Sequence, residues 1–217
     1  MVEPVRHGSE AGLMAGHGSG ILGAMPAAAV LHEVERSAYH GARMTLAAYE
    51  ATLLESNIKP YLEFWDGLVI QKAVPSFVHG VLQVLLARRL GDWADVVGGF
   101  VTTETHVWFA GHGYRLPDVA YWAPRRLTVA EGKARPPTLA IEILSDPSDR
   151  ESDRAKCRLM RANGVDVCWL IDPDRRTVEL FDDGRDGENL SGDTIVTSPR
   201  LPGFALDLRD IFSVLDR

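Results

Sequence analysis

Two acidic residues and one lysine stand out in the second half of the chain because of where they fall. Asp118 opens the segment DVAYWA, Glu142 interrupts the apolar run TLAIEIL, and Lys156 follows in a helix-forming stretch. Carboxylate oxygens from neighbouring strands are ligands that Mg²⁺ and Mn²⁺ accept, with water in the remaining positions. A nearby lysine could orient that water or stabilise negative charge growing on a phosphate. These residue types predict a metal site suited to phosphoester chemistry.

The strand that carries Glu142 is predicted to be buried on both faces. Successive side chains of a strand point to opposite faces, and residues 139–144 are apolar on both faces apart from Glu142. Such a pattern is typical of a central strand in a sheet. An ionised carboxylate buried there without a partner costs several kcal/mol. We therefore expect Glu142 to be paired, protonated or bound to a cation.

Asp118 follows a proline at the start of a second predicted strand. The segment that follows it, residues 119–122, has strand-forming residues on both faces. A Pro-Asp pair before a strand is often only a turn, and this alternative stays open while Asp118 is considered alone. With Glu142 on a neighbouring strand, however, it completes a pair of hard oxygen ligands.

Lys156 lies on a helix that is predicted over residues 148–162. Ser148 and Glu151 have the spacing of a capping box, and Asn163-Gly164 is a typical helix end. Lys156 lies at the border of the predicted packing face, which comprises Ala155, Leu159 and Ala162. It could point into the site, or it could extend along the surface or pair with a neighbouring polar residue such as Asp153.

A further acid, Glu63, lies in a predicted hairpin. The segment YLEFWDGLVIQ contains two apolar runs on either side of Asp66-Gly67, a strong signal for a two-residue turn. Glu63 stands between two apolar residues of the first strand. It could be an exposed acid on an edge strand or a further member of the site, and spacing alone does not separate the two.

Two helices and a loop are also predicted. Thr45 is the expected N-cap of a helix that ends before Asn57, and Ser76 is the expected N-cap of a helix over residues 76–90. The second helix has a predicted apolar stripe of Phe77, Val81, Val84, Leu85 and Leu90, and its last turn contains Arg88 and Arg89. His79, in its first turn, could approach a phosphate or could be structural. The acidic segment 182–193 is predicted to be a solvated connection.

Length and composition predict a single domain with an extension. The chain has 217 residues, of which 46% are hydrophobic and 24% charged, values that are typical of a globular protein. Residues 1–40 are rich in glycine and weakly periodic, so we expect a flexible N-terminal extension there and the domain over residues 41–217. Cys157 and Cys168 match no disulfide or metal spacing, which predicts two free, buried thiols in a reducing compartment.

The charge and the hydropathy pattern exclude some functions. A net charge of -7 argues against a protein that coats nucleic acid by bulk electrostatics, although a basic strip could still guide a phosphate backbone. That strip would comprise Arg125, Arg126, Lys133 and Arg135. No apolar run is long enough to span a bilayer, and the N-terminus lacks the pattern of a signal peptide. We expect a cytoplasmic protein with no membrane partner.

The order of these motifs resembles that of the PD-(D/E)xK nuclease superfamily, which includes restriction endonucleases. The sequence of the individual segments resembles one branch of it, the Uma2 family. The matching segments are MTLAAYEATLLE, YLEFWDGLVI, RLPDVAYWAP, PPTLAIEILSDPSDRESDRAKCRLMRANGVDVCWLIDPDRRTVELF and LPGFALDLRDIF. They cover most of residues 44–212 in the expected order. The resemblance implies an α/β (α+β) fold with a restriction-endonuclease-like core, in which α-helices flank a mixed β-sheet and the metal lies between strand acids.

The resemblance also implies roles for particular residues. Asp118 corresponds to the aspartate of the PD motif, Glu142 to the second acid, and Glu63 to an additional acid contributed near the first helix. This sequence departs from the superfamily pattern at Leu144, where a lysine is usual. The resemblance to Uma2 proteins implies that Lys156, on the following helix, takes the place of that lysine.

The function that the resemblance implies is hydrolysis of DNA by an endonuclease that depends on Mg²⁺ or Mn²⁺. Asp118, Glu142 and the main-chain carbonyl of Ile143 would hold the metal, Lys156 would orient water or stabilise charge, and Glu63 would hold a second metal or Lys156 itself. A homodimer is expected for such a nuclease. Two alternatives stay open: a non-catalytic oligomeric or nucleic-acid-associated module that keeps the fold, and a hydrolase of another phosphoester.

Overall fold

The computed structural model describes residues 37–55, 61–130 and 133–217, which all belong to one compact unit. Of the predicted extension, only residues 37–40 are among them, so its predicted flexibility and its boundary with the domain stay predictions. Within the described residues, no helix combines the length and the hydropathy needed to cross a membrane.

The elements alternate between short strands and four helices within the described part of the chain. In the first half they are α1 (Leu46–Glu55), β1 (Leu62–Trp65), β2 (Leu68–Gln71), α2 (Phe77–Val97), β3 (Phe100–Thr103), β4 (Val107–Phe109), β5 (Gly113–Arg115) and β6 (Val119–Trp122). In the second half they are β7 (Val129–Ala130), β8 (Lys133–Ala134), β9 (Leu139–Ile143), α3 (Arg150–Ala162), β10 (Val167–Asp172), β11 (Thr177–Asp182), β12 (Arg185–Ser191), β13 (Ile195–Val196), β14 (Leu206–Asp207) and α4 (Leu208–Ser213).

The central sheet is mixed, as the sequence predicts. Its strand order is β12-β11-β10-β9-β6-β3, in which β9 and β10 are parallel and the other neighbours are antiparallel. Apolar residues of α2 and α4 pack against one face, and α3 packs against the other with Cys157 and Met160. Because helices cover both faces, the side chains of β9 and β10 are buried on both sides. Cys157 and Cys168 are buried and free, as expected.

A second sheet contains the predicted hairpin. Its order is β2-β1-β5-β4-β8-β7, and β1 pairs with both β2 and β5. Asp66 and Gly67 both have positive φ angles, 48° and 86°, as the predicted two-residue turn requires. Since β1 has a neighbour on each side, Glu63 does not lie on an edge strand, and that alternative is wrong.

The predicted C-terminal boundary of α2 is wrong, and so is part of its predicted buried face. Ser76 does cap the helix, accepting a hydrogen bond from the main-chain N–H of His79 at 3.1 Å, but the helix continues to Val97. Its buried apolar residues are Leu82, Leu86, Leu90 and Ala94, whereas Phe77 and Val84 of the predicted stripe are exposed by 87% and 70%. Of the predicted stripe, Leu90 is buried and Leu85 packs against the core. Apolar residues occur on two sides of this helix, so periodicity alone selected a stripe that overlaps the buried face only in part.

Two smaller predictions are also corrected. Residues 185–191 form the edge strand β12 rather than a solvated loop, since their backbone pairs with β11. Most of their side chains are exposed, which is why the segment has the polar sequence of a loop. At the start of α3, a single 3₁₀ turn over Pro147–Asp149 precedes the helix, and Asp146 rather than Ser148 accepts the capping hydrogen bond. The packing face of α3 is formed by Arg150, Lys156, Cys157 and Met160, so Lys156 is central to it.

Candidate metal centre

The side chains predicted to form a site converge on one cavity. Glu63, Asp118, Glu142 and Lys156 are all buried, and all line a cavity of about 400 Å³ together with Ile143. Each comes from a different element: β1, the loop before β6, β9 and α3. The two sheets and α3 must therefore be assembled before the cavity exists.

Strand register explains why the two predicted metal ligands meet. In the antiparallel pair of β6 and β9, Val119 pairs with Ile141. Continuing this register by one step sets Asp118 beside Glu142. The main-chain N–H of Ile143 donates to Asp118 Oδ2 at 2.6 Å, which fixes that carboxylate at the end of the strand pair.

Asp118 lies beside a lysine and a histidine. Its Oδ1 accepts a hydrogen bond from Lys72 Nζ at 2.6 Å, and His79 Nε2 lies 3.2 Å from the same oxygen. Burial opposes ionisation of this carboxyl, but the Lys72 ammonium and His79 more than offset it and hold the pKa of Asp118 well below its usual range. Asp118 is thus a carboxylate, as a metal ligand must be.

Glu142 has the opposite electrostatic character. Its Oε2 accepts a hydrogen bond from Lys156 Nζ at 2.9 Å, whereas its buried Oε1 has no hydrogen-bond partner. Burial, and to a smaller extent the negative charge of Asp118, raises the pKa of Glu142 to about 8, although the Lys156 ammonium acts against this shift. The buried carboxyl of Glu142 is therefore short of positive partners.

Lys156 bridges two acids. Its Nζ lies 2.6 Å from Glu63 Oε1 and 2.9 Å from Glu142 Oε2, and it also donates to the main-chain oxygen of Leu116 at 3.3 Å. These carboxylates raise the pKa of Lys156 against the opposing effect of burial, so the side chain is a cation. The alternatives that place Lys156 along the surface, or paired with Asp153, do not match these contacts.

Glu63 is held more completely than Glu142. Its Oε2 accepts from Arg115 Nη1 at 2.9 Å, and its Oε1 accepts from the main-chain N–H of Leu116 at 2.8 Å. Although burial alone would raise the pKa of Glu63, Lys156 and Arg115 lower it to about 2. Glu63 therefore positions Lys156 through a direct ion pair. This is one of the two roles expected for it.

Three further polar residues that no sequence pattern indicated lie near these groups: Lys72, Gln83 and Glu104. Lys72 follows β2 and donates to Asp118, to Glu104 Oε2 at 2.8 Å and to the main-chain oxygen of Leu116 at 2.9 Å. Gln83, on α2, donates to Glu104 Oε1 at 3.1 Å. These residues belong to no motif, and only the folding of the hairpin, α2 and the turn after β3 around Asp118 brings them together. Of the three, Lys72 lines the cavity.

The predicted basic strip does not line this cavity. Arg126 donates to the main-chain oxygen of Gly164 at 2.5 Å, and Lys133 forms an ion pair with Glu50 at 2.6 Å. The guanidinium of Arg135 lies over the ring of Trp108, 4.2 Å from its centroid. Arg126 also forms an ion pair with Asp166 at 3.3 Å, so the charges of Arg126 and Lys133 are partly balanced by acidic neighbours.

The residues present fit a divalent metal ion. Two carboxyl groups face the same cavity beside a strand end, and hard oxygen ligands of this kind suit Mg²⁺ and Mn²⁺. The unpartnered Oε1 of Glu142 is a buried acceptor that a cation would satisfy. No position for the carbonyl of Ile143 relative to such an ion follows from these contacts, so its role as a ligand stays a prediction.

The architecture matches a solved structure described as a putative nuclease belonging to DUF820 from Anabaena variabilis ATCC 29413. The match covers 79% of this chain and 99% of that chain, with 24% sequence identity and a TM-score of 0.69. A weaker match, to the DrdV–DNA complex, covers 62% of this chain and 10% of that chain at 16% identity, and its TM-score of 0.34 is too low to support an argument. The fold is therefore restriction-endonuclease-like, as the sequence predicts.

The chain belongs to the Uma2 family, described as "Putative restriction endonuclease", whose model matches residues 47–209. This confirms the resemblance found in the motifs. A comparison with curated proteins finds no match.

Proposed function

We propose that this Uma2-family chain is a metal-dependent endonuclease that hydrolyses phosphodiester bonds of DNA. The observation that carries the proposal is the asymmetric pair formed by Asp118 and Glu142. Both are buried beside one another in one cavity, yet Glu142 retains an acceptor without a partner. A buried carboxyl left in this state is costly unless a cation or a proton completes it.

The metal would be Mg²⁺ or Mn²⁺, held by Asp118, Glu142 and the main-chain carbonyl of Ile143. When bound, such an ion lowers the pKa of a coordinated water molecule and neutralises charge on the scissile phosphate. Asp118 is already ionised and oriented by the N–H of Ile143, so binding requires little rearrangement of this ligand.

Lys156 supplies a fixed positive charge on the cavity wall. Because Glu63 and Glu142 hold its ammonium from two sides, the side chain loses little further freedom when substrate enters. From this position the ammonium would donate to a phosphate oxygen or orient the attacking water, and it would stabilise charge that increases in the transition state. Glu63 acts through Lys156 as a positioning residue.

The proposal is tested by measuring cleavage of single-stranded and double-stranded DNA with Mg²⁺, with Mn²⁺ and with EDTA. The Asp118→Ala variant should lose roughly 10²-fold or more of the metal-dependent rate, since it removes a charge that acts on the reacting centre. Asp92→Ala is the matched control, because Asp92 is an exposed acid on α2 that pairs only loosely with Arg88 at 3.9 Å. Equal rates for wild type and Asp118→Ala would refute the assignment.

One observation favours the alternative of a non-catalytic module that keeps the fold. Lys72 and Lys156 already provide cations for the acids of the cavity, so these residues could serve only to hold the two sheets together. Calorimetry separates the two functions. Binding of Mg²⁺ or Mn²⁺ that is lost in Asp118→Ala supports the nuclease, whereas no binding at millimolar concentrations supports the non-catalytic module.

The homodimer expected from the sequence stays a prediction. Helix α2 and the start of β3 leave large apolar side chains exposed, notably Phe77, Val84, Val96 and Phe100. Sedimentation of the full chain at micromolar concentration would measure the oligomeric state directly.

A further inference from the structure

A second group of potential ligands lies beside Asp118, on the side away from the predicted motif. One ligand atom each from His79, Glu104 and Asp118 lie within 4.8 Å of one another. His79 comes from the first turn of α2, and Glu104 from the turn after β3, where it has a left-handed φ of 51°. The group therefore combines an imidazole with two carboxylates from three separate parts of the fold.

The space between the two carboxylates already holds a positive charge. Lys72 Nζ lies 2.6 Å from Asp118 Oδ1 and 2.8 Å from Glu104 Oε2. The distance between these two oxygens thus allows both to contact the same cation. A metal ion would draw them closer, since metal–oxygen bonds of about 2.1 Å are shorter than hydrogen bonds from an ammonium.

His79 carries the inference because its inner nitrogen has no hydrogen bond. The side chain is buried, and Nδ1 lies 2.9 Å from Ser145 Oγ, a hydrogen bond that fixes the ring. Its Nε2 lies 3.2 Å from Asp118 Oδ1, within ion-pair distance, but it forms no hydrogen bond. Adjacent ligands of an octahedral ion with bonds of about 2.1 Å are roughly 3 Å apart, which matches this separation.

Neighbouring side chains hold these potential ligands by hydrogen bonds, as is usual for metal-binding residues. Gln83 Nε2 donates to Glu104 Oε1 and, at 2.9 Å, to the main-chain oxygen of Asp118. Ser145 holds the ring of His79 by its hydrogen bond with Nδ1. Partners of this kind set the orientation of ligating side chains.

We propose that His79 Nε2, Glu104 and Asp118 Oδ1 form a second divalent-cation site, and that the Lys72 ammonium is a tethered competitor for it. The imidazole ligand favours a first-row transition ion such as Mn²⁺ or Co²⁺ over Mg²⁺. This second site would share Asp118 with the first, and in that respect alone it rests on the proposed function. When an ion enters, the Lys72 ammonium leaves the two carboxylates.

The spectroscopic test uses the full chain loaded with Mn²⁺. Pulsed electron paramagnetic resonance should show coupling of Mn²⁺ to a ¹⁴N nucleus, and His79→Ala should abolish it. His112→Ala is the matched control, since His112 pairs with Asp66 at the exposed hairpin turn. The wild-type spectrum requires no variant, so an unstable His79→Ala leaves the test intact. Absence of ¹⁴N coupling in the wild type and in Lys72→Met overturns the proposal.

The competition test compares metal affinities by calorimetry. Lys72→Met removes the ammonium but keeps most of the side-chain volume, and we expect it to raise Mn²⁺ affinity tenfold or more, with a smaller gain for Mg²⁺. Lys133→Met is the control, since it removes a lysine from an ion pair outside the cavity. An unchanged or lower Mn²⁺ affinity in Lys72→Met overturns the role of Lys72.

The two sites can fail separately. Glu142→Gln removes a ligand of the first site and should leave the ¹⁴N coupling unchanged. Coupling without any DNA cleavage would refute the proposed function and support the second site. Metal-dependent cleavage without coupling would support the proposed function and refute the second site.

Discussion

Replacement of Lys156 by methionine tests how the cavity is held together. Methionine keeps an unbranched apolar stem but removes the ammonium that bridges Glu63 and Glu142. Loss of one partner from a buried ion pair typically costs about 3–5 kcal/mol of unfolding free energy. Two features reduce this cost here. Glu142 can take up a proton, because burial already raises its pKa to about 8, and Glu63 keeps its hydrogen bonds from Arg115 and from the main chain.

We therefore expect Lys156→Met to lower the free energy of unfolding by about 2–4 kcal/mol in EDTA, a large part of a typical stability. Urea unfolding followed by circular dichroism measures this loss. In a Glu142→Gln background the same replacement should cost less, because one of the two acids is already neutral, and the double-mutant cycle isolates that contact. Lys133→Met, in an ion pair at the surface, should change stability little. A stability of Lys156→Met within roughly 0.5 kcal/mol of wild type would refute the reasoning.

Three further predictions concern the scaffold and its pH dependence. Gly113→Ala should lower the free energy of unfolding by about 3 kcal/mol or more, because the new Cβ would lie 2.5 Å from a main-chain oxygen of β1 and φ at this position is 133°. Gly111→Ala, where the new Cβ meets open space, should cost only about 1 kcal/mol. Equal melting temperatures for the two variants would contradict this prediction. Leu90→Ala should lower the free energy of unfolding in urea by about 2–5 kcal/mol, and Val84→Ala by far less, since Leu90 is buried and Val84 is exposed. Similar losses for the two variants would contradict the assignment of the buried face of α2. In EDTA, the raised pKa of Glu142 means that the folded chain holds a proton which the unfolded chain has released. The free energy of unfolding should thus fall as pH rises from about 5 to 8, with a shallower slope in Glu142→Gln, and parallel slopes would rule out this assignment.

The elements nearest the site could be predicted from the sequence because their signals are local. The apolar run on both sides of Glu142 indicated a buried strand, and Asp66-Gly67 indicated the turn that places β1 and β2. The end of α3 at Asn163 follows its glycine signal in the same way. Each of these depends on residues within a few positions of one another, and the family motifs supplied their mutual order.

The errors arise where the choice depends on the rest of the fold. Helix α2 has apolar residues on two sides, and only the sheet against which Leu82 and Leu86 pack decides which side is buried. Lys72 and Glu104 have no pattern of their own, because their contacts join residues that are 21 or more positions apart. His79 is visible in the sequence as a histidine in a first helical turn, but its proximity to Asp118 is a tertiary property.

The balance of charge around the cavity suggests how metal and substrate enter together. Direct contacts join three cationic side chains to four carboxyl groups; the cations are Lys72, Arg115 and Lys156, and the acids are Glu63, Glu104, Asp118 and Glu142. One carboxyl is in excess, which agrees with the unpartnered Oε1 and raised pKa of Glu142. A divalent cation would displace the proton that the raised pKa keeps on Glu142 and would turn the negative excess into a positive one. A DNA phosphate, with a single negative charge, would then restore neutrality. A second ion beside His79 would add further positive charge, and for this reason the Lys72 ammonium competes with that ion rather than remaining beside it.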